Sequence, residues 1–181
     1  LTDSGTGLLY NPSVDAEGVS AVEYRIDGRS AVSRIDITTG KRTSYAAAPD
    51  SLQLVEIADN GNILYASAVS EGGYGIYSYC NMEWKTVLEP SPVMIKDFKS
   101  CPDGLMFCSD RTGVNELYVL SPESGVITRK TNTRYGSEDH QWSEDGKYLY
   151  YTCQTMKGKR IVRTLADSLE NRQVVFSERY S

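Results

Sequence analysis

The sequence is poor in the residues that build most catalytic and metal-binding sites. Its 181 residues include one histidine, His140, and four cysteines without any Cys-x-x-Cys spacing. A Ser-His-Asp triad could use only His140, and no Gly-x-Ser-x-Gly sequence supplies a nucleophile. Four acidic residues lie near it in the sequence: Glu138, Asp139, Glu144 and Asp145. One histidine without a second ligand at close spacing favours a solvated polar loop over a metal site. We therefore expect no catalytic residues, no metal and no cofactor.

Positive charge and long apolar runs are also scarce. The chain has 19 lysines and arginines against 24 acidic residues, a net charge of −5. It therefore lacks the basic field that attracts a phosphate backbone, which argues against a nucleic-acid partner. No segment approaches the roughly 18 apolar residues that a membrane-spanning helix needs. With 40% hydrophobic and 24% charged residues, the composition is that of an ordinary folded domain.

What the sequence does contain is an internal repeat. Four turns end in Gly18, Gly61, Gly104 and Gly146, which lie 43, 43 and 42 residues apart. Strand-like runs rich in aromatic and β-branched residues follow them at 19–24, 62–67, 105–109 and 147–152. A second run follows in each repeat, at 33–37, 76–79, 117–120 and 161–164, and a shorter one follows a turn, as at 41–45 and 126–129. Four strands in each repeat of about 40 to 45 residues predict an all-β fold of propeller blades.

The repeat also predicts how the chain is divided. We expect one propeller domain over residues 1–181, with blade units at about 8–46, 51–89, 93–131 and 137–177. Residues 1–5 have the phase of the last strand of a preceding unit. Residues 172–176 have the pattern of the outer strand of the fourth unit.

The second half of the chain resembles a known repeat family. Three segments carry the resemblance: Ser109-Asp-Arg-Thr-Gly113, Glu116-Leu-Tyr-Val-Leu120, and Trp142-Ser-Glu-Asp-Gly146 followed by Lys-Tyr-Leu-Tyr-Tyr. They are similar to the WD40-like (PD40) repeat of TolB-type β-propellers. The resemblance implies four-stranded antiparallel blades and a non-enzymatic scaffold of the bacterial periplasm or cell envelope. Such a scaffold binds another protein, a peptide segment or another ligand.

The same resemblance leaves an alternative function open. Blades of this kind also form the N-terminal regulatory propeller of prolyl-oligopeptidase-like serine peptidases, whose catalytic domain would lie outside this chain. TolB-like propellers typically have six blades. The four units are therefore expected to belong to a larger ring, or to be completed by a partner or by a second copy of the chain. The alternative is a small closed ring, in which the N-terminal strand pairs with the fourth unit.

The loops at one end of such a propeller are the expected binding surface, because binding residues concentrate on loops over a rigid scaffold. These loops are predicted at 25–29, 70–75, 110–115 and 153–160, together with the connections at 46–51, 88–93 and 134–140. The candidate binding residues in them are Arg25, Asp27, Arg29, Tyr74, Asp110, Arg111, Arg134, Tyr135, Glu138, His140, Lys159 and Arg160. Each residue type is also common in solvated turns. For Asp110 and Arg111 we favour structural roles, with Asp110 capping its turn and Arg111 pairing with a neighbouring blade.

Trp142 and the cysteines are interpreted as packing residues. Trp142 is expected to lie between blades. Cys108 and Cys153 follow their turn glycines at different distances, too far apart in height to bridge. Cys80 and Cys101 end strands that point to the same end of neighbouring blades, and this is the one pair for which a disulfide stays open. Otherwise all four are expected to be buried or half-buried thiols.

Overall fold

Sixteen β-strands and one short 3-10 helix form the regular structure of residues 7–14, 18–59 and 63–176, which are the residues that this computed structural model describes. The all-β fold of antiparallel blades that the repeat predicts is confirmed. The expected strand at 1–5 and the turn that ends in Gly61 lie outside the described residues. The chain divides into two compact units, residues 1–90 and 91–181.

The first unit contains two antiparallel sheets of four strands, each in sequential order. Sheet A consists of β1 (Leu8–Val14), β2 (Gly18–Tyr24), β3 (Ser30–Asp36) and β4 (Arg42–Ala47). Sheet B consists of β5 (Gln53–Asp59), β6 (Leu64–Ser70), β7 (Gly73–Cys80) and β8 (Glu83–Ser91).

The facing sides of sheets A and B form the core of the first unit. Val22 and Val32 from sheet A and Leu54 from sheet B are fully buried in one apolar cluster. The Tyr24 hydroxyl donates to the Leu54 carbonyl at 2.6 Å. One face of sheet A therefore packs against one face of sheet B.

The second unit contains sheets C and D. Sheet C is built from β9 (Lys96–Cys101), β10 (Gly104–Ser109), β11 (Glu116–Leu120) and β12 (Ile127–Arg129), and sheet D from β13 (Ser137–Trp142), β14 (Tyr148–Thr155) and β15 (Gly158–Leu165). The 3-10 helix (Ala166–Ser168) then leads to β16 (Arg172–Val174).

The strand expected to complete the fourth blade pairs elsewhere. The prediction that residues 172–176 form the outer strand of the fourth unit is wrong, because β16 pairs antiparallel with β12 and becomes the fifth strand of sheet C. Side-chain contacts on both sides of β16 in the sequence hold it there. The Arg129 guanidinium donates to both carboxylate oxygens of Glu170 at 2.8 and 2.9 Å. The ring of Phe176 packs edge-on against Phe107 and Tyr118, with centroids 5.4 Å apart in each pair.

The first strand of each sheet contains a β-bulge. In three of the four strands an Asn or Asp residue at the bulge has a left-handed backbone: Asn11 (φ 49°), Asp97 (φ 52°) and Asp139 (φ 54°). Asn and Asp tolerate this conformation better than other residues with a side chain. The bulge is thus a part of the repeat that the turn glycines alone do not reveal.

The two turn glycines of the second unit have positive φ angles. Gly104 has φ 135° and Gly146 has φ 68°. An added Cβ at Gly104 would lie 2.3 Å from the Leu120 carbonyl oxygen. At Gly104 both the backbone angle and the space require glycine.

The packing role of Trp142 is confirmed. The half-buried indole packs against a cluster that includes Met106, Leu117 and Leu149. All four cysteines are free thiols, so the possible Cys80–Cys101 disulfide is not formed. Cys80 is exposed, and the prediction of burial is wrong for this residue because it ends its strand.

Candidate functional site

A buried carboxylate organises the connection between β12 and β13. Glu116 is 1% exposed, and its Oε1 atom accepts hydrogen bonds from the Thr133 amide at 2.5 Å and the Thr133 hydroxyl at 2.9 Å. Its Oε2 atom accepts hydrogen bonds from the hydroxyls of Thr131 and Ser137, the latter at 3.1 Å. Four donors from this connection thus bind one buried carboxylate. These hydrogen bonds fix the backbone of residues 131–137.

Arg134 and Tyr135 lie at the tip of this fixed connection. Both side chains are exposed, and the Arg134 guanidinium lies 5.2 Å from the centroid of the Tyr135 ring. Such a cation–π contact orders the two side chains against each other. The pair is presented to solvent on a backbone that Glu116 holds in place.

The loops of the second unit meet next to this tip. The Ser137 amide donates to the Asn115 carbonyl at 2.6 Å, and the Gln154 amide donates to the Gly136 carbonyl at 2.9 Å. The turns after β10 and β14 and the connection before β13 therefore lie at one end of sheets C and D. For these three segments of the second unit, the arrangement agrees with the clustering that the repeat predicts.

A group of charged residues surrounds Glu138 at the start of β13. We call Lys96, Asn115, Glu138, Asp139 and Lys159 the Glu138 cluster. The Oε2 atom of Glu138 lies 2.6 Å from Lys96 Nζ and accepts from Asn115 Nδ2 at 3.2 Å, while its Oε1 atom pairs with Lys159 Nζ. Hydrogen bonds from Lys159 and Lys96 lower the pKa of Glu138 to about 2, although partial burial opposes this. The carboxylate is therefore ionised across the physiological pH range.

Lys159 and Arg160 lie on a strand and not in a loop. The sequence predicts a loop at 153–160, but β14 continues to Thr155 and β15 begins at Gly158, so only a tight turn separates them. Lys159 reaches across sheet D to Glu138 and also lies 3.7 Å from Asp139 Oδ2. Arg160 is exposed on β15.

His140 is unsuited to contact a ligand. It occupies the bulge of β13, is 1% exposed, and neither ring nitrogen has a hydrogen-bond partner in the described part of the chain. Burial, assisted by the charge of Lys99, lowers the pKa of His140 to about 3. The expectation of a binding role is wrong for this residue because the bulge directs its ring into the core, as it does for Phe98 one repeat earlier.

Asp110 and Arg111 only partly follow the structural roles expected for them. The Asp110 carbonyl accepts the Gly113 amide at 2.8 Å and so closes the turn, and its carboxylate accepts the Met94 amide at 3.2 Å. Arg111 Nε is buried without a hydrogen-bond partner among the described residues. The expected pairing of Arg111 with a neighbouring blade is not formed by the carboxylates that the structure describes.

The candidates of the first unit form a separate group. Arg25 donates to Ser44 Oγ at 2.8 Å, and Arg29 pairs with Asp50 at 2.9 Å. Asp27 accepts the Arg29 amide at 3.1 Å within the same turn. Tyr74 is half-buried on β7 and not in a loop. The contacts of the arginines and Asp27 join the β2–β3 turn to its own sheet and to the β4–β5 connection.

The first unit also carries a surface groove that the sequence does not indicate. The groove has a volume of about 560 Å³ and lies beside the β3–β4 turn. Its lining residues are Arg34, Asp36, Thr39, Lys41, Thr43 and Tyr45. They come from one hairpin, and none of them belongs to the expected binding surface.

Searches among known proteins give one sequence relative and several similar structures. No protein-family model matches the chain. A stretch of 75 residues is 37% identical to YuxL, an uncharacterized peptidase of Bacillus subtilis strain 168, and covers 38% of this chain and 11% of that protein. TolB from Acinetobacter baumannii superposes on 92% of this chain with a TM-score of 0.74 at 19% identity. The fold is that of a TolB-like β-propeller.

The TolB-like fold extends over only part of the proteins it matches. The chain spans 43% of the length of A. baumannii TolB. It also superposes on the propeller domain of the Trilobed protease from Pyrococcus furiosus, over 96% of this chain and 58% of that one, with a TM-score of 0.61 at 13% identity. Likeness at these identities establishes the fold, and propellers of this fold carry different functions.

No group of three or more His, Cys, Asp or Glu side chains in residues 7–14, 18–59 and 63–176 is arranged to hold a metal ion. The same residues contain no helix that is long and apolar enough to span a membrane.

Proposed function

We propose that the chain is a non-catalytic part of a TolB-like propeller and binds another protein or a peptide segment. The binding surface is the tip formed by Arg134 and Tyr135 together with the adjoining Glu138 cluster. The observation that supports this most strongly is that the exposed Arg134–Tyr135 pair lies on a connection fixed by the buried Glu116.

The physical argument concerns the cost of ordering a loop. Protein interfaces favour arginine and tyrosine, whose large side chains contribute most when they are held in place before binding. A loop that is already ordered loses little conformational entropy on association. Glu116 provides this order, so the tip retains its shape without a partner.

The state of His140 supports a non-catalytic role. It is the only histidine of the chain, it is buried, and its pKa of about 3 keeps the ring neutral at physiological pH. A general base must reach the proton that it removes. A location in the periplasm or cell envelope is proposed from the TolB-like fold.

A pull-down experiment tests the binding surface. The tagged chain is incubated with a cell-envelope extract, and retained proteins are compared with those retained by an Arg134→Ala, Tyr135→Ala variant. We expect at least one protein to be lost with this variant. The matched control is Arg172→Ala, Tyr150→Ala, because Tyr150 is 37% exposed and Tyr135 39%. Equal retention by all three proteins contradicts the proposed surface.

A second candidate function is the regulatory propeller of a prolyl-oligopeptidase-like serine peptidase. The 37% identity with the peptidase YuxL over 75 residues favours it. The coding sequence beyond residue 181 distinguishes the two. A downstream Gly-x-Ser-x-Gly segment, with labelling of the full-length product by a fluorophosphonate, supports the peptidase. Its absence from the complete reading frame supports the binding scaffold.

A further inference from the structure

The outer edge of β15 has no neighbouring strand in the described part of the chain. Sheets A and B have four strands each and sheet C has five, whereas sheet D ends at β15 after three. Backbone donors and acceptors on the free side of Gly158–Leu165 are open to a further strand. We propose that this edge binds an extended acidic segment of another protein by strand addition. The surface differs from the Arg134–Tyr135 tip, and the proposal does not rest on that tip.

The other outer strands are less suited to pairing. In β4 the carbonyls of Tyr45 and Ala47 already accept hydrogen bonds from Tyr79 and Trp84. Strand β8 includes Pro90, which has no amide hydrogen, and β16 is only three residues long. Proteins use such features to protect sheet edges. Strand β15 has eight residues, with neither proline nor an acidic side chain.

The exposed face of β15 alternates cationic and apolar side chains. Lys159, Ile161, Arg163 and Leu165 project to the same side because side chains alternate along a strand. Ile161 is 81% exposed and Leu165 is 50% exposed. Both large aliphatic side chains remain in water beside a free edge. An added strand that covers them removes apolar surface from water, which stabilises the complex.

The charges on the strand select an acidic partner. Lys159 is already paired with Glu138 and Asp139. Arg160 and Arg163 are exposed, and neither has a carboxylate partner within the described ranges. The Arg163 guanidinium lies 4.8 Å from the centroid of the Tyr148 ring. A guanidinium over an aromatic ring still presents its edge to a carboxylate.

The same charges disfavour a second copy of the chain as the occupant. Strand β15 has no acidic side chain, so antiparallel pairing of two β15 edges cannot place a carboxylate opposite Arg160 or Arg163 in any register. When such a pair is centred on Ile161, Lys159 of each copy lies opposite Arg163 of the other. Directly opposed like charges destabilise a strand pair. An acidic strand instead places a carboxylate opposite each of Arg160 and Arg163.

The pairing rule gives the pattern of the added strand. In an antiparallel arrangement, apolar residues lie opposite Leu165, Val162 and Ile161, and acidic residues lie opposite Arg163 and Arg160. A polar residue lies opposite Thr164. A capped peptide of sequence Val-Thr-Glu-Val-Val-Glu satisfies all six positions.

Calorimetric titration of the full chain with this peptide tests the proposal. We expect binding of the acidic peptide, and affinity lower by about tenfold or more for the matched peptide Val-Thr-Lys-Val-Val-Lys. An acidic peptide with methylated backbone nitrogens keeps the side chains but loses its amide donors, and we expect it not to bind. Hydrogen exchange should show new protection at residues 158–165.

Variants locate the site. Arg160→Glu with Arg163→Glu should weaken binding of the acidic peptide by about tenfold, since two ion pairs become repulsive. Arg172→Glu places the same charge change on β16 and should leave the affinity unchanged, as should Arg134→Ala with Tyr135→Ala. The proposal is overturned by absence of binding, by equal affinity for the acidic and basic peptides, or by retained binding of the methylated peptide. It is also overturned if residues 158–165 become protected by dimerisation without peptide.

Discussion

The backbone amide of Asp139 donates a hydrogen bond to Oδ2 of Asp97 at 3.2 Å and so ties the bulge of β13 to the bulge of β9. Both residues have left-handed backbones. A matching link occurs in the first unit, where Asn11 Nδ2 donates to the Val55 carbonyl at 2.7 Å. The side chain at the bulge thus joins the first strands of neighbouring blades in both units.

Asp97 tests this link. Asp97→Ala should lower the free energy of unfolding by about 2 kcal/mol, because alanine is strained at φ 52° and cannot accept the Asp139 amide. Asp97→Asn keeps both properties and should change stability by less than about 0.5 kcal/mol. Urea denaturation of the two variants measures the difference. Equal losses in both variants contradict the role of the side-chain oxygen.

Glu116 should be among the most sensitive polar positions. Glu116→Ala leaves four donors from residues 131–137 without their acceptor and should destabilise the chain by about 3 kcal/mol. The exposed Glu123→Ala serves as the control and should have almost no effect. The tip should also move more in Glu116→Ala, which lowers the tyrosine fluorescence anisotropy. The part of the signal that comes from Tyr135 is identified by repeating the measurement in proteins that lack this residue. An unchanged thermal melt contradicts the organising role of Glu116.

The two turn glycines should differ in what they tolerate. Gly104→Val should destabilise strongly, since its Cβ would meet the Leu120 carbonyl oxygen and its φ is 135°. Gly146→Val is also strained, at φ 68°, but its Cβ meets no atom closer than Pro102 Cγ at 3.6 Å. We therefore expect Gly146→Asn to fold normally and Gly104→Asn to be destabilised. Thermal melts that rank these two asparagine variants equally are inconsistent with the steric argument.

Trp142 should contribute to stability through packing. Trp142→Ala removes an indole that packs on the cluster of Met106, Leu117 and Leu149, and we expect a loss of about 3 kcal/mol. Tyr150→Ala on the exposed face of the neighbouring strand is the control and should have a small effect. If the two melts shift by the same amount, Trp142 is not a core residue.

His140 should make the chain sensitive to mild acid. The unfolded chain binds a proton near pH 6.5, whereas the buried ring binds one only near pH 3, so the free energy of unfolding falls as the pH decreases between these values. Between pH 7 and pH 5 the loss should be about 2 kcal/mol. Phe98 occupies the equivalent position one repeat earlier, so phenylalanine should fit the same bulge in a His140→Phe variant. This variant should lose the pH dependence of stability. Urea titrations at the two pH values give the comparison, and an equal dependence in both proteins excludes His140 as its source.

The regular parts of the blades could be predicted from the sequence because they leave local marks. Runs of apolar, aromatic and β-branched residues identify strands such as β2 and β11, and turns that need positive φ leave glycines such as Gly104 and Gly146 at a fixed period. The packing role of Trp142 follows from its place in a strand that faces a neighbouring blade. Clustering of the loops follows from the same repeat.

The remaining features depend on contacts between distant residues. Glu116 was visible only as part of a motif, because Thr131, Thr133 and Ser137 are ordinary loop residues until the strand pairing brings them to one carboxylate. The polar neighbours of His140 indicated a loop, and only its equivalence with Phe98 in the repeat indicates burial. The Arg129–Glu170 pair that places β16 joins residues 41 positions apart and leaves no local pattern.

The route of the chain in the second unit has a consequence for folding. Sheet D is formed entirely by residues between β12 and β16, so the chain leaves sheet C, builds sheet D and then returns. Sheet C thus cannot acquire β16, or the contact of Phe176 with Phe107, until sheet D has folded and brought the end of β12 close to the start of β16. Closure of this long loop makes the two sheets of the second unit a single cooperative unit, whose amides should exchange with solvent together in one global opening.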